Sequence, residues 1–298
     1  MAENLDWYRV FYYTAVTGSL STAAEALFIT QPAVTHTLKQ LESKLGGQLF
    51  FRTSKGVKLT AEGEALFPYI EQAYHFIENG ERKIADMHQL LGGDIKIGAG
   101  DTLSRHYLLP YLAAFHDKYP AIKIQVTNRT TLETLALLKQ GRIDLGIVNL
   151  PVTDPDIEVQ ETLVIEDCFI AGPEFKHLSE RPVSWGELME YPIILLEKGS
   201  VTRAYIDGVA KKQGVRINPE IELGSIDLLV EFTRTGLGIA CVIKNFIKAE
   251  LLHHDLYEIE LEQPIPSRRV GIAKLKKLPL TAAAHAFIAS MLTELEPD

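Results

Sequence analysis

The chain has 298 residues, of which 46% are hydrophobic and 23% are charged, and its formal net charge is −9. This composition is ordinary for a soluble globular protein, and the length is enough for two or three folding units. No run approaches eighteen apolar residues, and the first residues lack a basic segment followed by an apolar core, so we expect neither a membrane span nor a secretion signal. A cytoplasmic protein is the resulting expectation.

Charge is distributed unevenly along the chain. Residues 1–60 hold 6 Lys and Arg against 4 Asp and Glu, whereas residues 61–298 hold 24 against 35. A basic head on an acidic body predicts that contact with phosphate is confined to one end.

Two short helices are predicted between Ser21 and Leu45. Ser21–Glu25 opens the first helix with a hydroxyl cap, and Phe28-Ile29 leads to a new cap at Thr30. The second helix runs from Gln31 to Leu45. Its spacing predicts one buried stripe made of Val34, Leu38, Leu41 and Leu45. The opposite face then presents Pro32, Thr35, His36, Lys39 and Ser43.

A basic hairpin is predicted to follow the second helix. Leu49–Thr53 and Val57–Thr60 have strand patterns, and Ser54-Lys55-Gly56 between them is typical of a turn. The exposed helix face carries no carboxylate before Glu42, as a face that enters the electronegative major groove should. An ordinary helical hairpin with a solvated polar face is the alternative, and the hairpin argues against it.

These segments resemble the N-terminal signature of LysR-type transcriptional regulators. The resemblance rests on Ser19–Ala24, Thr30–Thr35, Leu41-Glu42, Leu45-Gly46, Leu49–Arg52 and Leu59–Gly63. The family usually carries Ser where Thr35 stands and Arg where His36 stands. The resemblance and the exposed pattern together indicate one set of DNA-binding residues: Ser21, Thr22, Thr30, Gln31, Pro32, Ala33, Thr35, His36, Lys39, Arg52, Lys55 and Lys58. What it implies is a DNA-binding regulator controlled by a small molecule, with double-stranded DNA and RNA polymerase as partners.

One long helix is predicted from Thr60 to about Leu91. Apolar or small residues recur at alternating spacings of four and three, which is typical of a seam between two helices packed side by side. They are Leu66, Ile70, Ala73, Ile77, Gly80, Ile84, Met87 and Leu91. The expected partner is the same helix of another subunit, and packing against its own domain is the alternative. In the resembling family this helix dimerises, which implies a homodimer or homotetramer whose two heads read an inverted repeat.

Strands and helices alternate after Gly92-Gly93, the predicted hinge. The expected fold class is α/β: a winged helix-turn-helix domain in 1–60, a linker helix in 61–91, and an effector-binding domain in 92–298. The last resembles periplasmic binding proteins, with lobe I in about 93–163 and 267–298 and lobe II in about 164–266. Two strands, near Val164 and Pro264, are expected to connect the lobes. The helix after the first strand is predicted from Leu103 to Lys118.

Hydroxyl groups follow several predicted strands, where α/β sheets bind ligands. Each is by itself equally well an ordinary helix cap. In LysR-type regulators the effector occupies the cleft between the lobes, and this implies one set of lining residues: Thr102, Ser104, Thr131, Asn149, Ser200, Thr202 and Ser225. Arg203 is expected either to face a carboxylate effector or to lie on the surface. Asp101 beside the site would oppose an anion.

No catalytic or metal-binding motif is recognisable. Cys168 and Cys241 are far apart and lack the paired spacing of a zinc site, so buried reduced thiols or a redox sensor are the two interpretations. His253-His254 has no ligand set beside it. A nucleophile elbow and a phosphate-binding loop are missing. We therefore expect no cofactor and no enzyme activity, with an enzyme or a solute-binding module fused to a DNA-binding head as the alternative.

Overall fold

The computed structural model describes residues 4–54, 56–88 and 93–295, and the side chains of all of these except 85–88, 294 and 295. The chain divides into two compact units, Met1–Glu81 and Arg82–Asp298. Within the described ranges, no helix is long and apolar enough to cross a membrane. Lys55, Leu91 and Gly92 lie outside the described residues, and nothing is described of the Met87 side chain.

The first unit is a winged helix-turn-helix with one additional helix. Its elements are α1 (Leu5–Thr17), α2 (Leu20–Leu27), α3 (Gln31–Leu45), β1 (Phe50–Thr53) and β2 (Gly56–Leu59). The sequence pattern had not indicated α1, which supplies Val10 and Phe11 to the core. The two strands pair antiparallel, as predicted.

The caps of the two short helices differ from the prediction at one place. Ser19, not a residue of Ser21–Glu25, caps α2, and its hydroxyl accepts a hydrogen bond from the backbone N–H of Thr22 at 3.3 Å. Thr30 caps α3 as expected. The buried stripe of α3 comprises Val34, Leu38 and Leu41, but Leu45 is 46% exposed because it stands in the last turn, where the chain ends the helix at Gly46.

The long helix α4 spans Ala61–His88. It begins after Thr60, whose buried hydroxyl accepts a hydrogen bond from the backbone N–H of Gly63 at 3.1 Å. Leu66 and Ile70 pack on the core of the first unit. At these two positions the helix therefore packs against its own domain, which the sequence analysis gave as the alternative to a seam with another subunit. Further along the helix, Ile77 is 47% exposed and Ile84 is 60% exposed.

The second unit consists of two five-stranded sheets with helices around them. Its elements in chain order are β3 (Gly93–Ala99), α5 (Asp101–Leu103), a π-helical turn (Ser104–Leu108), α6 (Leu109–Lys118), β4 (Ile122–Asn128), α7 (Thr131–Lys139), β5 (Leu145–Asn149), β6 (Ile157–Ile165), β7 (Asp167–Ala171), a 3-10 helix (Pro173–Ser179), α8 (Trp185–Leu188), β8 (Ile193–Leu196), α9 (Val201–Lys212), β9 (Ile221–Leu223), α10 (Ile226–Arg234), β10 (Ile239–Ile243), a 3-10 turn (Lys244–Phe246), α11 (Lys248–Leu252), β11 (Tyr257–Ile259), β12 (Arg268–Leu275) and α12 (Ala282–Leu295).

In each sheet four strands run in one direction and one strand, β12 in the first sheet and β7 in the second, runs against them. The first has the order β4-β3-β5-β12-β6 and the second β11-β7-β10-β8-β9. We name the residues around the first sheet lobe I (93–165 and 268–295) and those around the second lobe II (166–267). The return of β12 to lobe I agrees with the sequence prediction. The predicted strand near Pro264 is wrong, because residues 262–267 form an irregular connection and the strand begins only at Arg268.

The single helix predicted from Leu103 to Lys118 is divided in the structure. A π-helical turn at Ser104–Leu108 separates α5 from α6. Such turns rotate the side chains that follow them relative to a continuous α-helix. The apolar spacing that predicts a helix does not distinguish these two geometries.

Two glycines in neighbouring strands allow α7 to approach the first sheet closely. A Cβ atom at Gly146 would lie 2.5 Å from the Thr134 methyl group, and one at Gly98 would lie 2.8 Å from it. The Thr134 side chain is completely buried there. This packing brings the start of α7 beside the end of β5, where Asn149 donates its backbone N–H to the Thr131 hydroxyl at 3.2 Å.

Candidate functional sites

The exposed face of α3 presents the polar groups that the sequence indicates. Gln31, Pro32, Ala33, His36 and Lys39 are exposed, and Thr35 is partly buried. Gln31 donates its amide N–H to the Thr35 hydroxyl at 3.2 Å. The other predicted DNA-binding positions that the structure describes are also exposed: Ser21, Thr22, Thr30, Arg52 and Lys58.

A groove between α3 and the hairpin brings helix and wing residues together. It has a volume of about 250 Å³, and Thr35, Lys39 and Arg52 line it. Phe51, which is 57% exposed, lines the same groove and was not indicated by the sequence. Two cations, a hydroxyl and an exposed aromatic ring in one groove suit a nucleic-acid backbone and the edges of its bases.

The first carboxylate on this face, Glu42, also lines the groove, and a local contact holds it there. The Glu42 carboxylate accepts a hydrogen bond from the backbone N–H of Leu49 at 2.9 Å, just before β1 begins. The side chain therefore joins the end of α3 to the hairpin. Its charge is partly satisfied by this backbone donor.

A second site lies in the second unit, between the two lobes. A cavity of about 430 Å³ is lined by residues from the carboxyl ends of the six strands that pair in parallel, from the loops that follow them and from the first turns of the next helices. These strands are β3, β4 and β5 in lobe I and β8, β9 and β10 in lobe II. Open α/β sheets bind ligands at this edge because backbone N–H groups and helix starts converge there.

Five of the eight predicted effector-binding residues line this cavity: Thr102, Thr131, Asn149, Ser200 and Thr202. The Ser200 hydroxyl caps α9 by accepting from the backbone N–H of Arg203 at 3.0 Å, so its cap role and its place in the lining coexist. Asp101 also lines the cavity, where it accepts hydrogen bonds from Asn128 and Ser225.

Three predicted residues do not line the cavity. The Ser104 hydroxyl is buried without a hydrogen-bond partner among the described residues. The Ser225 hydroxyl lies at the rim and donates to Asp101 at 3.2 Å. Arg203 faces neither an effector nor the solvent, because its buried guanidinium donates to Asp207 at 3.0 Å, to Glu222 at 2.7 Å and to the Leu196 carbonyl at 2.7 Å. Both expectations for Arg203 are thereby corrected.

The sequence did not indicate the charged groups that do line the cavity. They are the cations Arg129 and Lys198 and the carboxylates Glu133 and Glu197. Hydrogen bonds from the side chain and backbone of Thr130 lower the pKa of the exposed Glu133, which closes a capping box at the start of α7. Arg129, Glu197 and Lys198 stand in loops and Glu133 in the first turn of α7, where polar residues carry little pattern to separate ligand contacts from solvated ones.

A buried ion pair lies next to the cavity, at the two connections between the lobes. Arg268, the first residue of β12, donates to both carboxylate oxygens of Asp167, the first residue of β7, at 2.5 and 2.8 Å. Its remaining terminal nitrogen donates to the Asn149 side-chain oxygen at 2.7 Å. This network had no signal in the sequence, because its three members are separated by long stretches of chain.

The two cysteines have the environment of inert thiols. Both are buried and free, and burial raises their pKa values well above the ordinary range. In the pairing of β7 with β10, Cys168 is opposite Val242 and Cys241 is opposite Phe169. Opposed residues share a face of a sheet, so the two thiols point to opposite faces and cannot form a disulfide. Among the described residues, no group of His, Cys, Asp or Glu could hold a metal ion.

Comparison with known proteins identifies the family of both parts of the chain. The model of the bacterial regulatory helix-turn-helix protein, lysR family, matches residues 5–64, and the model of the LysR substrate binding domain matches residues 88–296. The chain is 29% identical to the probable RuBisCO transcriptional regulator of Cyanidioschyzon merolae, covering 97% of each chain. It is 28% identical to the RuBisCO operon transcriptional regulator of Allochromatium vinosum, covering 99% of this chain and 97% of that one.

A solved structure shares the fold over nearly the whole chain. Full-length CbnR in complex with its target DNA superposes with a TM-score of 0.67 at 17% identity, over 97% of this chain and 99% of that chain. The relatives named here are transcriptional regulators and not enzymes. This chain belongs to the LysR family and is a LysR-type transcriptional regulator with a DNA-binding helix-turn-helix domain and an effector-binding domain.

Proposed function

We propose that α3 and the hairpin bind operator DNA and that a small molecule bound in the cavity between the lobes controls this binding. The observation that carries the proposal is the convergence of six parallel strand ends on one cavity lined by both lobes. A ligand that contacts both lobes stabilises one arrangement of them over another. Control by the ligand requires only this difference in affinity between the arrangements.

On the DNA side, Gln31 and Thr35 are the groups proposed to reach base edges. Lys39, Arg52 and Lys58 contact phosphates, since they are exposed cations on the helix and the hairpin. Lys55 belongs to the same proposed set but lies outside the described residues. The operator is an inverted repeat, and RNA polymerase is the proposed further partner.

A second copy of the chain is the proposed partner of α4. Ala73, Ile77, Gly80 and Ile84 recur at seam spacing and are exposed, and a Cβ atom at Gly80 would meet nothing within 4 Å. An exposed apolar row of this kind is typical of a helix that packs against a partner helix. The resulting dimer or tetramer carries the two DNA-binding heads that an inverted repeat requires.

The experiment is a DNA-shift titration of the purified protein against its own upstream intergenic region. The variant with Lys39→Ala and Arg52→Ala should lose the specific shift and should lower the salt dependence of binding by about two phosphate contacts. The matched control is Lys211→Ala with Lys212→Ala, which removes two exposed charges from the last turn of α9. The proposed interface would be rejected if both double variants lost DNA binding equally. It would also be rejected if the variant with Lys39→Ala and Arg52→Ala bound the DNA as the wild type does.

A further inference from the structure

Arg268 occupies a position from which it can orient a cavity residue without touching the cavity. Its side chain is 4% exposed, and the Asp167 side chain that it binds is completely buried. The Tyr205 ring lies 5.6 Å from the guanidinium carbon, and the Tyr205 hydroxyl donates to the Pro266 carbonyl. These contacts leave the guanidinium a single geometry between the two connections of the lobes.

The contact between Arg268 and Asn149 determines which end of the amide enters the cavity. A guanidinium has only donors, so the group that meets it must be the Asn149 oxygen and not its nitrogen. The Asn149 nitrogen is therefore the end directed away from Arg268. It donates to no residue in the parts of the chain that the structure describes, and Asn149 lines the cavity.

Thr131, beside Asn149, also presents a hydrogen-bond donor to the cavity. Its hydroxyl oxygen accepts the backbone N–H of Asn149 at 3.2 Å, and the residue lines the cavity. That hydrogen bond uses one lone pair of the oxygen, and the hydroxyl proton is available to donate to a ligand. Two adjacent groups of lobe I thus offer donors to the cavity.

We propose that Arg268 is a positioning residue that holds the Asn149 amide as a hydrogen-bond donor, so that the effector places an accepting oxygen, as in a carboxylate or another oxoanion, against Asn149 and Thr131. The proposal rests on the proposed function of the cavity as the effector site. It replaces the contact expected from Arg203, whose guanidinium is occupied by two carboxylates. The lining also holds the cations Arg129 and Lys198 and the carboxylates Asp101, Glu133 and Glu197, so the proposal rests on the Asn149 and Thr131 donors and not on the net charge of the cavity.

The Asp101 carboxylate does not contradict an oxoanion in the cavity. Asp101 accepts hydrogen bonds from the Asn128 amide at 3.4 Å and the Ser225 hydroxyl at 3.2 Å. The ligand oxygen is assigned instead to the Asn149 and Thr131 donors. An effector with a hydroxyl or amine at its other end would suit both groups.

The test measures binding of simple probes to the full-length protein at constant ionic strength. Sodium sulfate, acetate and succinate serve as acceptor probes and putrescine as a donor probe, with thermal midpoints and calorimetric titration as readouts. We expect at least one oxoanion to bind and putrescine not to bind. Asn149→Asp should weaken that oxoanion at least tenfold, because it replaces the donor by a carboxylate that Arg268 can still pair with.

A second variant isolates the role of Arg268. Arg268→Lys keeps a cation for Asp167 but lacks the fork that reaches Asp167 and Asn149 together, so oxoanion affinity should fall about tenfold. Arg269→Lys is the matched control on the same strand, where the exposed side chain pairs with Glu161, and it should bind as the wild type does. With selective ¹⁵N-asparagine labelling, the side-chain resonance that disappears in Asn149→Asp should shift on anion addition in the wild type.

Several outcomes overturn the inference. They are binding of putrescine in preference to every oxoanion, no stabilisation by any oxoanion, or oxoanion affinities in Asn149→Asp and Arg268→Lys equal to that of the wild type. Putrescine binding that Thr202→Val weakens would overturn the inference alone and leave the cavity as the effector site. Oxoanion binding that neither Thr202→Val nor Asn149→Asp alters would instead place the ligand elsewhere and reject the proposed function of the cavity as well.

Discussion

The His106 imidazole lies 3.1 Å from the Asp227 carboxylate, and this pair joins the π-helical turn of lobe I to the start of α10 in lobe II. Arg105 donates to the other oxygen of Asp227 at 2.7 Å. The His106 ring stacks on Phe246 of lobe II with 5.1 Å between ring centres. Together with the contact between Ser225 and Asp101, these interactions form a latch between the lobes at the rim of the cavity.

Removing the carboxylate of the latch should loosen the two lobes. Asp227→Ala is expected to speed hydrogen exchange of the amides in residues 104–110 and 226–229 about fivefold, because a partly exposed ion pair contributes about 1 kcal/mol or less. Glu231→Ala is the matched control, since this exposed carboxylate on the same helix pairs only within α10, with Arg234. Equal exchange rates in Asp227→Ala and the wild type would show that the latch does not hold the lobes.

Charges on the exposed row of α4 should separate the subunits. Ile77→Glu with Ile84→Glu places carboxylates where two copies of the helix are proposed to pack. The dissociation constant of the dimer should therefore rise by roughly 100-fold or more. Sedimentation velocity measures this directly. Leu252→Glu changes an apolar side chain that is 78% exposed elsewhere and should leave the assembly intact. A dimer that survives the double substitution would place the interface on another surface.

Two substitutions on the exposed face of α3 should distinguish base contacts from phosphate contacts. Lys39→Ala is expected to weaken binding to all DNA sequences alike and to lower the salt dependence by about one phosphate contact. Gln31→Ala should cost about 1–3 kcal/mol at the operator with an unchanged salt dependence. Competition titrations at several salt concentrations distinguish the two. Lys44, whose ammonium group is held 5.6 Å from the centre of the Trp7 ring, provides the control substitution Lys44→Ala, which should be neutral.

The buried thiols should make stability fall at alkaline pH. Burial raises the pKa of Cys168 and Cys241 above their value in the unfolded chain, which is about 8.5. The folded protein therefore retains protons that the unfolded chain releases above this pH. Their stabilising effect is complete below pH 8.5 and is lost above it, by about 1.4 kcal/mol per pH unit and thiol.

Urea midpoints between pH 7.5 and 9.5 test this prediction. Tyr74 and Tyr107 have pKa values raised by burial to about 12, so they contribute little below pH 9.5. The variant with Cys168→Ala and Cys241→Ala should lack the decline. Native protein should also resist thiol reagents at pH 8 until it is unfolded. Rapid modification of either thiol in the folded protein would favour the redox-sensor interpretation instead.

The sequence predicts those elements whose pattern is local. Thr30 caps α3 and Gly46 follows it, and the predicted bounds of this helix, Gln31 and Leu45, agree with the structure. The helix α1 was missed because its aromatic residues face both the core and α4, as the stacking of Tyr12 on Tyr74 shows, so the apolar spacing is not confined to one stripe.

Contacts between distant residues had no local signal. Arg203 stands one turn into a helix near the cavity, and the sequence does not show that Glu222, nineteen residues later, takes its charge. Likewise, Arg268 and Asp167 meet across 101 residues. The hydroxyls that follow strands were easier to locate, because the edge of a parallel sheet where its strands end follows from the element order alone.

The residues of the cavity wall and the residues of the lobe cores stand in different parts of the chain. The wall residues stand at strand ends, in short loops or in the first turns of helices, whereas the interiors of the strands pack in the cores of the lobes. Exchange of a few loop residues can therefore alter the recognised metabolite while the sheets keep their packing. Proteins with this scaffold can therefore change their ligand specificity and keep the same fold.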